Sequence, residues 1–233
     1  MIKQYKKEYD YSYTLGFYPT FELLKYHKNE LMYIYVSESA LESEGYKKLS
    51  SIVSADKIII SEKIFDKLKE KGNDHVIGVF KKYYEALDKN KSHVVLVNPS
   101  DQGNIGNIMR SMLAFDYRDL AIIVPSGDRF NPKVIRSSMG AFFSIRQETF
   151  ASFDEYLKKY PRDYYPFMLK SAHFLKQIDK PNNDNYALVF GNEATGLCDD
   201  FANEHSVKIE QSNDVDSLNL ATAVVVALYE FKH

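Results

Sequence analysis

Short apolar runs alternate with longer amphipathic stretches through the first third of the 233-residue chain. Apolar residues spaced three and four apart are typical of helices, and short runs rich in branched or aromatic residues are typical of strands. The predicted elements, in chain order, are a helix in PTFELLKYHK, a strand in LMYIYVS, a helix in SALESEGYKKLSSI, a strand in KIIIS, a helix in EKIFDKLKEKG and a strand in HVIGVFKKY. This alternation predicts a small α/β domain over residues 1–88, with its elements between about residues 15 and 84.

A short charged stretch, ALDKNKSH, separates this part from the next and is the predicted linker, because nothing in it needs burial. The alternation then restarts with HVVLV, whose unbroken apolar character is typical of a parallel strand covered on both faces. Further strands are predicted in LAIIV, SIRQ, YPFMLKS, YALVF and SVKIE, and helices in NIMRSMLAF, PKVIRSS, FDEYLKKY and SLNLATAVVVALYEF. The pattern predicts a second α/β domain with a parallel sheet over residues 93–233.

Composition narrows the class of protein. Apolar residues make up 45% of the chain, enough for a packed core, and the net charge of −2 disfavours a uniformly basic nucleic-acid surface. The single cysteine, Cys198, excludes an internal disulfide framework, and the polar start MIKQYKKEYDYSY lacks the apolar core of a signal peptide. The longest apolar run, LATAVVVALY, is too short to span a membrane. We therefore expect a cytoplasmic protein, and its scattered histidines predict no metal site.

The first candidate motif follows the strand HVVLV, in NPSDQGNIGNIMRSMLAFDY. A turn after a parallel strand lies at the carboxyl end of the sheet, where α/β folds bind ligands. Gly103 and Gly106 are expected to let the backbone turn sharply there. Asn104 can donate and accept hydrogen bonds, and Arg110 interrupts an otherwise apolar helical pattern. A solvated arginine or a salt bridge would explain Arg110 equally well from spacing alone.

Two further stretches have a similar character. In ALVFGNEATGL a buried strand runs into Gly191 and Gly196, with Glu193 between them, and this spacing predicts either a ligand-binding loop or an ordinary tight turn. It is not a phosphate loop, because no Gly-Lys-Ser/Thr follows. In SLNLATAVVVALYEF, Ser217 is the predicted N-cap of the last helix and Asn219 falls in its first turn, where asparagine is a poor helix former.

Taken together, the stretches GNIGNIMR, GNEATGL and DSLNLATAVVVALYE resemble, in order and spacing, the three motifs of the SpoU-type, or TrmH-like, RNA ribose 2′-O-methyltransferases of the SPOUT superfamily. The segment IRSSMGAFFSIRQ resembles the part of the family between the first two motifs. The resemblance covers about residues 93 to 231. More weakly, the first domain resembles the small RNA substrate-binding domain that many members carry.

The resemblance implies a parallel sheet whose C-terminal segment threads into a deep trefoil knot, a rare exception to unknotted chains. It also implies a homodimer with the last helix at the interface, and S-adenosylmethionine as the cofactor, with S-adenosylhomocysteine as the product. The cofactor would lie in the knot. The residues expected to bind it are Phe190, Gly191, Asn192, Glu193, Gly196, Ile209, Gln211, Ser217, Leu218 and Asn219.

The same resemblance assigns catalytic roles. Arg110 would act on the ribose 2′-hydroxyl, Asn104 would orient that hydroxyl, and Glu193, Ser217 and Asn219 would complete the site. Because free arginine has a pKa above roughly 12, an electrostatic role for Arg110 is simpler than a role as a base. No metal is required. The resemblance implies ribosomal or transfer RNA as the partner, and a basic surface is expected to hold it. Candidates for that surface are Lys3, Lys6, Lys7, Arg118, Arg129 and Arg136.

Two alternatives stay open at this point. A non-catalytic relative of the same fold could bind RNA or S-adenosylmethionine and act as an assembly or regulatory factor. Against it stands the joint presence of Asn104, Arg110, Glu193, Ser217 and Asn219. A Rossmann-type nucleotide enzyme would need a glycine-rich turn after the first strand of its sheet and an acidic residue ending the next strand. Here the turn is rich in asparagine, and LAIIV runs into Pro125.

Overall fold

The computed structural model describes residues 2–68 and 75–232. Contacts divide the chain into two compact units: the described residues up to Tyr83 with Asp128–Ser144, and Tyr84–Gly127 with the described residues from Ile145 onward. The strands are β1 (Tyr11–Tyr13), β2 (Leu31–Val36), β3 (Ile58–Ile60), β4 (Val76–Lys81), β5 (His93–Val97), β6 (Asp119–Ile123), β7 (Arg146–Phe150), β8 (Asp163–Pro166) and β9 (Tyr186–Phe190). The α-helices are α1 (Phe17–Tyr26), α2 (Glu44–Ile52), α3 (Glu62–Lys67), α4 (Gln102–Ala114), α5 (Pro132–Ser137), α6 (Phe153–Lys159) and α7 (Leu220–Lys232).

The first unit contains a four-stranded mixed sheet in the order β1-β4-β2-β3. β4 is antiparallel to β1 and β2, whereas β2 and β3 are parallel. The predicted helices and strands of this part are confirmed within the described residues, and the predicted helix EKIFDKLKEKG is described only as far as Leu68. Strand β1 was not predicted, because its three residues carry too short a pattern, and its pairing with β4 depends on residues about 70 positions away.

The division of the chain differs from the sequence-based boundaries of 1–88 and 93–233. The first unit ends at Tyr83, and it includes Asp128–Ser144, which the sequence pattern assigns to the second domain. Aromatic packing explains this placement. The ring of Phe143 lies 5.3 Å from that of Phe80, and the ring of Phe130 lies 6.0 Å from that of Tyr83. Such contacts between distant segments leave no periodic signal in the sequence.

Arg129, one of the residues expected at an RNA-binding surface, lies within this aromatic packing instead. It is 7% exposed, and its guanidinium lies 4.3 Å from the centre of the Phe130 ring. Its Nη2 donates to the carbonyl oxygen of Tyr83 at 3.3 Å. Arg129 therefore stabilises the first unit, and the prediction that it contributes to a basic surface is wrong.

The second unit contains a five-stranded, fully parallel sheet in the order β7-β6-β5-β9-β8. This confirms the predicted α/β class with a parallel sheet. The strands at its centre are buried along their whole length, as their apolar composition predicts. Of the six predicted strands, SVKIE forms only isolated bridges, from Val207 to Phe167 and from Lys208 to Phe174. In the described parts of the chain, no helix has both the length and the apolarity to cross a bilayer.

His93, at the start of β5, is fully buried. Its Nε2 lies 2.9 Å from the carbonyl oxygen of Asp88, and its Nδ1 lies 2.9 Å from the hydroxyl of Tyr156. Because a carbonyl only accepts, Nε2 carries the proton and Nδ1 accepts from Tyr156. Burial, together with the positive charge of Arg162, lowers the pKa of His93 to about 4.

This burial predicts acid sensitivity of the second unit. In the unfolded chain a histidine binds its proton near pH 6.5, whereas folded His93 resists protonation until about pH 4. The unfolded state therefore binds more protons in this window, and the free energy of unfolding should fall by about 3 kcal/mol as the pH drops from 6.5 to 4. Urea unfolding at several pH values measures this. His93→Gln removes the titration, so the stability gap between wild type and variant should narrow on acidification, and a constant gap would contradict the prediction.

Candidate active site

Three loops meet at the carboxyl end of the parallel sheet in the second unit. Strands β5 and β9 are parallel neighbours, with Leu96 opposite Phe190, so the loops that follow them leave the sheet side by side. Asn192, in the loop after β9, donates through Nδ2 to the carbonyl oxygen of Asn98 at 2.8 Å. The third loop leads into α7. All three candidate motifs of the sequence therefore lie at one edge of the sheet.

Helix α4 begins earlier than the sequence pattern predicts. Its N-cap is Asp101, whose Oδ1 accepts from the main-chain N–H of Asn104 at 2.8 Å. Gly103 and Gly106 consequently lie inside the helix, and neither has a positive φ. The expectation that these glycines form the sharp turn is wrong. The left-handed residue is Asn98, with a φ of 52°, and asparagine tolerates this region better than most residues do.

The carboxylate of Glu193 joins the loop after β9 to the start of α4. Its Oε2 accepts from the main-chain N–H of Ser100 at 3.0 Å and from the Ser100 hydroxyl at 2.8 Å. Its Oε1 accepts from the N–H of Asp101 at 3.0 Å and from Nδ2 of Asn104 at 3.3 Å. Partial burial opposes ionisation, but these hydrogen bonds lower the pKa of Glu193 below its ordinary value, so the carboxylate is charged at neutral pH.

Asn219 extends the same cluster to α7. Its Nδ2 donates to Oδ1 of Asn104 at 3.2 Å, and its Oδ1 accepts from the main-chain N–H of Ala221 at 2.9 Å. Asn219 therefore has the role of N-cap, which the sequence pattern had assigned to Ser217. A cap position also explains why asparagine, a poor helix former, is found here. We call Asn104, Glu193 and Asn219 the amide–carboxylate cluster.

A cavity opens beside this cluster between the loops that follow β8 and β9 and the start of α7. Nine of the ten residues predicted to bind the cofactor line it, and Asn219 is the exception. The nine are Phe190, Gly191, Asn192, Glu193, Gly196, Ile209, Gln211, Ser217 and Leu218. Phe167, which was not predicted, also lines the cavity and stacks on Phe190 at a ring distance of 4.5 Å. In the sequence, the only signal for Phe167 was its place in the predicted strand YPFMLKS.

Close main-chain packing shapes one wall of this cavity. A Cβ atom on Gly191 would lie 2.1 Å from the carbonyl carbon of Gly196 and 2.4 Å from the nitrogen of Leu197. Gly196 itself has a φ of +66°. The loop is thus built from glycines that allow a close approach and a left-handed turn, and it presents main-chain groups to the cavity.

Arg110 is not brought into the amide–carboxylate cluster. It is exposed on α4, it does not line the cavity, and among the described residues its side chain has no hydrogen bond or ion pair. Helices α4 and α7 run side by side in the same direction. Asn104 meets Asn219 near their starts, and Asp116 pairs with Lys232 at 3.3 Å near their ends. Arg110 lies partway along α4, beyond the cluster.

Two residues that hold the site were missed by the sequence analysis. Ser100 and Asp101 supply three of the hydrogen bonds to Glu193, and Asp101 also caps α4. An N-cap signal for Asp101 was present in the sequence, because an aspartate directly precedes the helix. No local signal marks the contact of Ser100 with Glu193, which lies 93 positions further along the chain.

The chain is similar to known RNA methyltransferases. A Listeria innocua protein, provisionally named a tRNA (cytidine(34)-2′-O)-methyltransferase, is 31% identical over 145 residues, which cover 60% of this chain and 85% of the relative. The 23S rRNA (uridine(2479)-2′-O)-methyltransferase of Streptomyces viridochromogenes is 26% identical over 203 residues, 81% of this chain and 71% of the relative.

Solved structures are similar in fold. The SpoU methyltransferase AviRb from Streptomyces viridochromogenes, in complex with AdoMet, aligns with a TM-score of 0.85 at 22% identity and covers 96% of this chain and 89% of its own. The model of the SpoU rRNA Methylase family matches residues 91–229, more than half of the chain and all three motifs. The chain therefore belongs to the SpoU rRNA Methylase family.

Proposed function

We propose that the amide–carboxylate cluster and the adjoining cavity form the active site at which this SpoU-family enzyme methylates a ribose 2′-hydroxyl of ribosomal or transfer RNA. The protein is an S-adenosylmethionine-dependent RNA 2′-O-methyltransferase. The observation that carries the assignment of the site is the meeting of three separate motifs, through Asn104, Glu193 and Asn219, beside one cavity. Relatives that are named for tRNA and for rRNA both support an RNA substrate.

The cavity fits the cofactor in its chemistry. Its walls combine aromatic and aliphatic side chains with the exposed main chain of the loop after β9, as expected for a site that holds a nucleoside. Phe190 and Leu218 would contact the flat base, and main-chain groups around Gly191 and Gly196 would hydrogen-bond it. When bound, S-adenosylmethionine supplies an activated methyl group on a positively charged sulfur. The chain's own part is to hold donor and acceptor in line, which accounts for much of the rate in such displacements.

Arg110 is proposed to neutralise negative charge at the ribose and its neighbouring phosphate. A guanidinium keeps its proton at neutral pH, so it serves better as an electrostatic partner than as a base. The exposed position of Arg110 on α4 leaves its donors available for RNA. Asn104 is proposed to orient the hydroxyl, and Ser217 and Asn219 to complete the site.

Further features are proposed on the resemblance to the family. The C-terminal segment would form a trefoil knot, a proposal supported by the close approach of Gly191 to Gly196 and by the bridges of Val207 and Lys208. The chain would act as a homodimer packed through α7, whose residue Tyr229 is 57% exposed. The first unit would bind the RNA substrate.

Deletion of the gene in its host, followed by ribose-methylation mapping across total RNA, tests the function. We expect one ribose methylation to disappear, to return with the wild-type gene and to stay absent with the Arg110→Ala gene. An unchanged map, combined with calorimetric binding of S-adenosylmethionine to the purified protein, would favour a non-catalytic relative and contradict the proposal.

A further inference from the structure

We infer that Glu193 is a fixed acceptor that orients the amides of Asn104 and Asn219, so that the amide–carboxylate cluster offers N–H donors to the ribose 2′-oxygen. The inference rests on the proposed function. It gives Glu193 a positioning role rather than that of proton acceptor, and it adds Ser100 as a second positioning residue.

Both oxygens of Glu193 already accept hydrogen bonds: Oε1 from Asp101 and Asn104, and Oε2 twice from Ser100. Nδ2 of Asn192 lies 3.4 Å from Oε2 as well. An ionised carboxylate can only accept, so the amide group of Asn104 must turn its nitrogen toward Glu193. A carboxylate held in this way is poorly placed to take up a further proton.

The hydrogen bonds continue from Glu193 through Asn104 and Asn219 to the start of α7. With its nitrogen toward Glu193, Asn104 turns Oδ1 toward Asn219, which donates to it through Nδ2 at 3.2 Å. Oδ1 of Asn219 then faces the N–H of Ala221 in the first turn of α7. This series of hydrogen bonds has a charged acceptor, Glu193, at one end and a helix N–H donor, that of Ala221, at the other. Both ends require each amide to turn its nitrogen toward the Glu193 side and its oxygen toward the Ala221 side.

The amides of Asn104 and Asn219 keep N–H groups that a ligand can use. Each amide has one oxygen and two N–H groups. Each oxygen already accepts one hydrogen bond, and in the described structure only one N–H of Asn104 and one of Asn219 has a partner. Each amide therefore keeps a free N–H donor. In the transfer, the 2′-oxygen would form a bond to the methyl carbon as the carbon–sulfur bond breaks with its electron pair going to sulfur, and the hydroxyl proton would leave to solvent water. The partner of the free donors is this oxygen, which gains partial negative charge as its proton departs. Donors fixed in advance stabilise such a charge more strongly in the transition state than in the ground state.

Asn104→Asp tests the donors with almost no change of shape. The probe RNA is total RNA from the deletion strain, methylated with tritium-labelled S-adenosylmethionine. We expect kcat to fall about 100-fold, with the KM for RNA and the calorimetric Kd for S-adenosylmethionine changed less than about threefold. Asn107→Asp, the same change at an exposed position on α4, is the matched control and should leave kcat within about twofold of wild type. A loss confined to KM would mean that the donors bind a ground-state oxygen such as a phosphate, and would overturn the assignment to the 2′-oxygen.

The double variant Asn104→Asp/Glu193→Gln separates donor loss from disruption of the cluster. Asn104→Asp alone places two carboxylates together and should lower the Tm by about 4 °C. In the double variant the new amide at position 193 can donate to the new carboxylate at position 104 but no longer accepts from the N–H of Asp101, so about half of the lost Tm should return. Because position 104 still lacks a side-chain N–H, kcat should stay low. Recovery of kcat in the double variant would overturn the donor role, and no recovery of Tm would overturn the assigned direction of the amides.

Ser100→Ala removes the hydrogen bond from the Ser100 hydroxyl to Glu193. It should lower kcat about fivefold with the KM for RNA unchanged, and Ser100→Thr, which keeps the hydroxyl, should restore kcat. An unchanged kcat in Ser100→Ala would remove Ser100 as a positioning residue. Failure of the wild-type protein to methylate any RNA would refute the proposed function. The Tm values of the wild type, Asn104→Asp and the double variant would still test the direction of the amides, because they can be measured without activity.

Discussion

Replacing Arg110 with alanine should lower the rate of methyl transfer about a thousandfold and leave the Kd for S-adenosylmethionine within about twofold of wild type. The reason is the position of Arg110 outside the cavity. Arg110 does not line the cavity and has no partner among the described residues, so its loss disturbs neither cofactor binding nor packing. Its guanidinium is proposed to act only where charge develops on the RNA. Single-turnover methylation of total RNA from the deletion strain measures the rate, and calorimetry measures the Kd.

Two further variants separate the role of Arg110 from general loss of positive charge. Lys158→Ala removes an exposed cation from α6 and should leave the rate within about twofold of wild type. Arg110→Lys keeps the charge but loses the planar, two-pronged geometry, so it should recover only part of the rate. Full activity of Arg110→Ala would exclude this residue from the mechanism.

Replacing Gly191 with alanine should abolish measurable cofactor binding, a loss of at least about 100-fold in affinity, and lower stability by about 2 kcal/mol. The added Cβ would lie 2.1 Å from the carbonyl carbon of Gly196 and 2.4 Å from the nitrogen of Leu197. Both neighbours are main-chain atoms, which cannot move aside by changing a rotamer. The loop between them must separate, and this loop forms a wall of the cavity. Calorimetry with S-adenosylmethionine and urea unfolding give the two quantities.

Gly196→Ala is the matched control in the same loop. A Cβ at Gly196 would meet nothing within 4 Å, so the substitution only forces alanine into a left-handed conformation with a φ of +66°. Its cost should be about 1 kcal/mol, with cofactor affinity reduced less than about tenfold. Equal effects of the two substitutions would show that close packing of Gly191 is not what maintains the cavity.

The local pattern predicts helices and strands well where an element is long and buried on a regular face. It predicts β5, β6 and β9 closely, and it finds α7 to within three residues at its start. It fails where pairing with a residue distant in the sequence determines whether a segment forms a strand. β1 is three residues long and is stabilised by its neighbour β4, and SVKIE has the composition of a strand without the pairing of one.

The starts of helices likewise depend partly on residue type and partly on tertiary contacts. Asp101 begins α4 and Asn219 begins α7, and both have the residue types that favour an N-cap. Ser217 is an equally good cap by type, and the sequence alone cannot choose between Ser217 and Asn219. Asn219 is selected because its Nδ2 also finds Oδ1 of Asn104, a contact between residues 115 positions apart.

The order of apolar runs and the three motifs were enough to determine the α/β class, the parallel sheet and the family, because these depend on periodicity and on residue types at short spacing. Only the tertiary structure decided that residues 128–144 lie with the first unit, that Ser100 and Asp101 hold Glu193, and that Arg110 stands apart from the cluster. The physical reason is that hydrogen-bond direction and close packing depend on groups that meet only after folding. Local sequence patterns do not indicate which distant residues will meet.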